Sequence, residues 1–167
     1  MPVPPFIADL RARIGTSPLW LPGVSAVVTD DDGRLLLGRR SDNGHWAVVS
    51  GIPEPGEQPA AAAVREVLEE TGVVAEAVAL TAVDVSDLIT YPNGDVARYL
   101  DVCFWCRATG GAARVADDES TDVGWFTADA LPAPLLDSSV ERIARTLAYV
   151  QALGSGLPAA TWFTTGT

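Results

Sequence analysis

Residues 50–73 read SGIPEPGEQPAAAAVREVLEETGV, and the rest of the chain is best understood outward from them. Ser50 to Gly56 is dense in Gly and Pro, the composition of a loop. A helix follows. Pro59 suits a first turn, Ala60 to Ala63 are strong helix formers, Val64, Val67 and Leu68 give an apolar stripe, and Gly72 is a natural C-cap. Glutamates crowd this segment: Glu57 before the helix, then Glu66, Glu69 and Glu70 at spacings of three and four, so that one helical edge can present the last three carboxylates together. Like charges at that spacing cost roughly 0.2–0.5 kcal/mol per exposed pair. Arg65 supplies some compensation, and a hard divalent cation on oxygen ligands would supply more. A solvated acidic face is the plainer reading of the spacing alone. The loop favours the cation, because Gly51 and Gly56 permit close backbone approach and a carbonyl there adds one more oxygen ligand.

Outward from this segment, strands and helices are mixed. Upstream, Phe6 to Ile14 reads as a short helix, Gly23 to Thr29 as a Val-rich strand, Asp30 to Gly33 as a turn, and Arg34 to Arg40 as the returning strand of a hairpin. Trp46 to Val49 is a short apolar stretch of strand character. Downstream, Val73 to Val85 is strand-like with an interruption expected near Glu76. Asp87 to Asp95 reads as a wide hairpin around Pro92-Asn93-Gly94, and Val96 to Ala108 as a long strand ending in a turn at Thr109 to Ala112. Thr121 to Phe126 is another strand. Ser138 to Leu153 is a second good helix, with Val140, Ile143, Ala144, Leu147 and Val150 on one side. The expected class is α/β (α+β), a sandwich of helices on a mixed sheet. Residues 1–22 form an N-terminal extension, 23–153 one domain and 154–167 a tail.

Composition bounds the function. The chain has 167 residues, 48% of them hydrophobic, which excludes wholesale disorder and suits one domain. Its formal charge of −11 argues against binding long nucleic acid, which needs a basic face, but not against a small phosphate substrate met through a metal. Met1 to Gly15 lacks the charged start and apolar run of a secretory leader, and no stretch is apolar for long enough to span a membrane, so a cytoplasmic location is expected. Cys103 and Cys106 lie on one strand at odd spacing, hence on opposite faces, and read as core thiols rather than a disulfide.

Gly51, five residues, Glu57, seven residues, then Arg65-Glu66-Val67-Leu68-Glu69-Glu70-Thr71-Gly72-Val73 resembles the full signature of the Nudix hydrolase (MutT-like) family. The order of elements from Gly23 to Leu153 agrees with it. The resemblance implies an α/β/α sandwich with a mixed sheet, in which the box forms a loop–helix–loop. It implies metal ligation by Glu66 and Glu70, by Glu69 as ligand or water activator, and by the backbone carbonyl of Ser50. The metal implied is Mg²⁺, with Mn²⁺ as a substitute. Glu57 and Arg65, with Gly51 and Gly72, match positions that support the loop–helix geometry. The expected general base is Glu66 or Glu69, and many members of the family recruit a further acid from a later loop, for which Glu119 is the choice, with Asp117 and Asp118 close by. Val49-Ser50 stands where relatives often carry Pro-Gly, yet Ser50 still offers its carbonyl.

The implied reaction is hydrolysis of a phosphoanhydride in a nucleoside diphosphate linked to another moiety, or in a nucleoside triphosphate. The cation neutralises phosphate charge and acidifies water, and a carboxylate takes the proton. A non-catalytic nucleotide-binding regulatory module is the alternative, and messenger-RNA decapping a third reading that the acidic balance disfavours. Specificity must come from outside the box. Arg39 and Arg40 alternate in direction, so one of them faces the pocket and can bind phosphate. Trp46 either stacks on a base or closes the core. Tyr91 and Asp95 sit on a rigid turn that either reaches over the pocket or simply closes a hairpin. The apolar Leu19-Trp20-Leu21 and Trp162-Phe163 segments each cover either their own core or a partner subunit, and a homodimer is the expected assembly.

Overall fold

The computed structural model describes residues 4–165, so the first three residues of the extension and the last two of the tail lie outside the described residues. The elements in chain order are α1 (Pro5–Ile14), β1 (Leu19–Thr29), β2 (Leu35–Arg40), β3 (Trp46–Ala47), β4 (Val49–Gly51), α2 (Pro59–Thr71), β5 (Val73–Val85), β6 (Ile89–Thr90), β7 (Val96–Gly111), β8 (Ser120–Phe126) and α3 (Asp137–Gly154). One mixed sheet runs β3-β2-β1-β7-β5, with β4 on β1, β6 on β7 and β8 on β2. The β1–β7 ladder is parallel and the others are antiparallel.

Alternation along β1 and β7 divides the core. Val24, Ala26, Val28 and Cys106 pack against Ala62, Ala63 and Val67 of α2. Val27 and Cys103, of the other parity, pack with Ile143 of α3. Each face of the sheet is thus covered by one helix, giving the three-layer α/β/α sandwich. Both cysteines are free and buried, one in each core. A third cluster, Ile7, Leu21 and Ala97, seats α1 at the start of β1, with Tyr91, Tyr99 and Ile52 against it.

Several elements differ from expectation for identifiable reasons. β1 begins at Leu19 rather than Gly23. Pro22 is tolerated because β4 pairs only with Val24–Ala26, so at Pro22 the ladder runs on the β7 side alone. The strands of the expected β1–β2 hairpin meet only at Thr29–Leu35, above a turn in which Asp30 accepts hydrogen bonds from Arg34. They then splay, because β4 inserts on β1 while β2 pairs with β3 and β8. The Trp46–Val49 stretch is two strands, not one: β3 serves β2, and β4 serves β1. β5 is continuous through Glu76 and absorbs its irregularity as three register shifts against β7, a device of edge strands. β7 extends through the expected turn to Gly111, whose φ of +76° brings the strand onto Val73. On α3 the inward residues are Ser139, Ile143 and Thr146, while Val140 is 47% exposed. The polar pair is accommodated by hydrogen bonds, from the Val48 N–H to Ser139 Oγ at 3.1 Å and between Thr81 and Thr146 at 2.9 Å.

The tail returns to the sheet. Trp162 bridges Ala82 on the outer side of β5, its N–H donating to the Thr81 carbonyl at 2.8 Å, and its ring lies 3.4 Å from the Arg145 guanidinium. Among the described residues no helix is long and apolar enough to cross a membrane.

Candidate active site

The box folds as a loop running into α2. Pro59 opens the helix, and Gly72 ends it in the left-handed region at φ +68°. Glu57 and Arg65 join the loop to the helix by two hydrogen bonds of 2.9 Å, Nε to Oε1 and Nη2 to Oε2. That bond holds the Glu57 carboxyl below the usual glutamate range. Gly51, at the end of β4, faces the Glu66 side chain so closely that a Cβ there would overlap the carboxylate. A Cβ here would be housed only by moving the Glu66 side chain, so glycine serves close approach, not an unusual φ.

The helix departs from a simple apolar stripe. Leu68 is 49% exposed, while Glu70 is only 9% exposed and lies on the buried side with Val67 and Thr71. A carboxylate in place of an apolar residue is a break in local pattern of the kind that marks functional positions. Glu70 Oε1 is buried with no hydrogen-bond partner. Burial pushes the Glu70 carboxyl up to about 9, the charges of Glu119, Glu66 and Asp117 add to the rise, and Arg40 opposes it. Burial likewise lifts Glu66 to about 7, against the pull of Arg65. Glu69 is on the outer side, its side chain 55% exposed and 2.9 Å from Arg65 Nη1.

Glu119 arrives from the loop between β7 and β8. Its N–H donates to Asp117 Oδ1 at 2.9 Å, and its carbonyl accepts from the Ser41 N–H at 2.8 Å. Its carboxyl is raised by burial, with Asp117 and Glu69 adding to the effect. One cavity gathers Glu70, Glu119, Ser50, Ser120, Gly38 and Arg40. The structure thus brings Glu66, Glu70, Glu119, Ser50 and Arg40 into one neighbourhood, with Asp117 near enough to act on Glu70 electrostatically.

Other candidates lie elsewhere. Arg40 lines the cavity and Arg39 does not; Arg39 donates through Nε to the Gly44 carbonyl at 3.1 Å. Trp46 is core, not a stacking platform: it is 9% exposed and meets Phe126 edge-on at 4.9 Å. Tyr91 hydrogen-bonds Tyr99 hydroxyl to hydroxyl at 2.8 Å beside α1, and Asp95 ion-pairs with Arg11 at 3.3 Å. The Tyr91–Asp95 turn therefore secures the first helix. Sequence reasoning missed Asp42 and Ser41, which line the cavity from the turn after β2. The only available signal was their position next to Arg40.

Among the described residues no three acidic, His or Cys side chains form a ready-made metal cage. Arg65 draws Glu66 and Glu69 toward itself, at 3.1 and 2.9 Å. The donors are nevertheless all hard oxygens, and the orphaned Glu70 Oε1 is an acceptor that a cation would satisfy. The residues present fit a hard divalent ion.

A family profile described as the NUDIX domain matches residues 19–148. This chain belongs to the NUDIX family. The NUDIX chain is 42% identical over 112 residues to a MutT-like protein of Streptomyces ambofaciens, the alignment covering 67% of each protein. It is 33% identical over 118 residues to the 8-oxo-dGDP phosphatase NUDT18 of Mus musculus, covering 67% of this chain but only 34% of that protein. Among solved structures, the MutT NUDIX hydrolase from Burkholderia pseudomallei aligns with a TM-score of 0.64 at 28% identity, covering 76% of this chain and 98% of that one. Relatives in the NUDIX family are named as hydrolases and phosphatases, and hydrolysis is the activity class of this chain.

Proposed function

We propose that this NUDIX protein hydrolyses a phosphoanhydride bond in a nucleotide derivative, either a nucleoside diphosphate joined to another group or a nucleoside triphosphate, with Mg²⁺ as cofactor. The observation that carries the reading is the buried, unpartnered Glu70 Oε1 beside Glu66 and Glu119. Similarity to a protein named for 8-oxo-dGDP supports a nucleoside phosphate as substrate.

In this reading Glu66, Glu70 and the Ser50 carbonyl hold the cation, with Glu69 at the outer edge. The cation, when bound, screens phosphate charge and acidifies water. Arg65 keeps Glu66 and Glu69 on the helix edge, and its grip on Glu57 fixes the loop against them. Arg40 offers its guanidinium to phosphate oxygens. Glu119 lines the same cavity as Glu70, and because Arg65 engages Glu66 and Glu69, the residues expected to act as base, Glu119 is here the carboxylate that accepts the proton of the attacking water.

Mass spectrometry of products tests this. Nucleoside triphosphates, oxidised guanine nucleotides, ADP-ribose, dinucleoside polyphosphates and nucleotide sugars are incubated with Mg²⁺ and the protein, with Glu70→Gln in parallel. A nucleoside monophosphate released by the parent and not by the variant is expected. Tight binding of one compound with no turnover would instead favour a regulatory module.

The assembly we propose is a homodimer, supported by Trp20, which is 59% exposed on β1 beside β7, the strand that carries the exposed Leu100. Light scattering on the eluting protein tests it, and a monomer mass would reject it. A cytoplasmic setting agrees with the two free buried thiols.

A further inference from the structure

Among the described residues lining the cavity, Arg40 is the only basic side chain, and it stands there with Glu70, Glu119 and Asp42. It ends β2, where the pairing with β8 shifts register between Arg39 and Arg40. Its guanidinium is already engaged. Nε donates to Asp42 Oδ1 at 2.9 Å and Nη2 to Asp42 Oδ2 at 2.6 Å, a two-point grip. A phosphate presents oxygens that suit the same fork.

We propose that Asp42 is a positioning residue acting through Arg40: it occupies and orients the guanidinium fork in the substrate-free protein, and a substrate phosphate displaces it. The inference rests on the phosphoanhydride reading above and deepens it.

Three features support exchange over a permanent pair. The Arg40 and Asp42 side chains are 36% and 53% exposed, so water screens their attraction and competes for both. The backbone beneath them is closed by Arg40 N–H to the His45 carbonyl at 2.8 Å and Gly44 N–H to the Arg40 carbonyl at 3.0 Å. Asp42 can therefore leave by side-chain rotation while the turn stays in place. Ser41, between the two, binds the neighbouring loop through its N–H to the Glu119 carbonyl and its Oγ to the Asp118 carbonyl at 2.9 Å. Arg40 and Glu119 are thereby held on one scaffold, and only the Asp42 side chain has to move. Asp42 also adds a negative charge that an incoming phosphate must approach. Its net effect is to weaken phosphate binding by competition, and to keep the Arg40 fork aimed into the cavity until a better anion arrives.

The test is titration calorimetry in Mg²⁺ buffer with methylenediphosphonate, whose P–C–P bridge resists hydrolysis, alongside KM and kcat on whichever nucleotide is turned over. Asp42→Asn is expected to lower the Kd of the probe about fivefold, the scale of one exposed ion pair, and to lower KM rather than raise kcat. Asp42→Glu should return Kd toward the parent value. In an Arg40→Ala background Asp42→Asn should have no further effect. The proposal is overturned if Asp42→Asn leaves Kd unchanged or raises it, if its gain persists without Arg40, or if neither parent nor variant binds the probe. Failure of the functional reading is distinct: the stated Kd pattern with no turnover of any phosphoanhydride would retain the exchange at Arg40 and reject the reaction.

Discussion

Arg65 makes two parallel hydrogen bonds of 2.9 Å to Glu57 while its remaining nitrogen, Nη1, reaches Glu69 at 2.9 Å and Glu66 at 3.1 Å. A single guanidinium thus fixes the loop before α2, the outer carboxylate and an inner one. Lysine carries one charge and no fork, so Arg65→Lys can satisfy only part of this set. We expect the substitution to lower Tm by about 2–4 °C, the response of a chain this size to losing about 1 kcal/mol, and to reduce turnover roughly tenfold. Thermal melts and steady-state rates check the two effects separately.

The carboxylates make the metal-free protein pH-sensitive with a definite sign. Glu66 and Glu70 bind protons more tightly when folded, up to about 7 and about 9, than in an unfolded chain near 4.5. Between 4.5 and about 9 the folded state holds protons that the unfolded state has released, so stability falls as pH rises across that window. In chelator the Tm should decline over this range. Added Mg²⁺ should reverse the decline, with the largest gain at the alkaline end. Glu70→Gln replaces the burial cost of a charge with that of a neutral amide, and should flatten the decline and blunt the Mg²⁺ gain. A Mg²⁺ effect independent of pH and of Glu70 would reject Glu70 as a ligand.

At Gly51 a methyl group has no room beside the Glu66 carboxylate. Gly51→Ala should displace Glu66 and cut turnover roughly tenfold or more, the scale of a disturbed metal environment, while circular dichroism stays that of the parent. Full activity in this variant would mean that Glu66 can move without consequence.

Trp46 serves as a contrast. Its ring packs on Phe126 inside the core on the α3 side. Trp46→Leu should destabilise by roughly 2–4 kcal/mol in denaturant melts and leave KM for nucleotide substrates unaltered. A raised KM at unchanged stability would return the ring to the substrate pocket.

These cases separate what the sequence made legible from what it did not. The box was readable because its chemistry is written in local spacing: Glu57 to Arg65 spans one loop and two helical turns, and Glu66 and Glu70 share a helix edge. Periodicity also located α2, α3 and β7. It misjudged Leu68 and Val140, because a helix face is chosen by what the partner surface can satisfy. Glu70 and the Ser139–Thr146 pair took buried places that apolar residues were expected to fill. The role of Trp46 depended on β3 meeting β2 opposite Arg39, a register that no local pattern encodes. The Arg40–Asp42 pair was invisible for a similar reason, since two oppositely charged residues in a turn are common and their engagement is a matter of rotamers.

The return of Trp162 to β5 has a consequence for the chain's behaviour at high concentration. β5 ends the strand order, and an uncovered terminal strand offers its backbone groups as a template for other molecules. The Thr81 carbonyl and the Val83 N–H, both on that strand, bond instead to Trp162 of the same chain. Trp162 thus acts as a guard against intermolecular sheet growth, and clipping the chain ahead of Thr161 would favour aggregation even where the candidate active site is untouched.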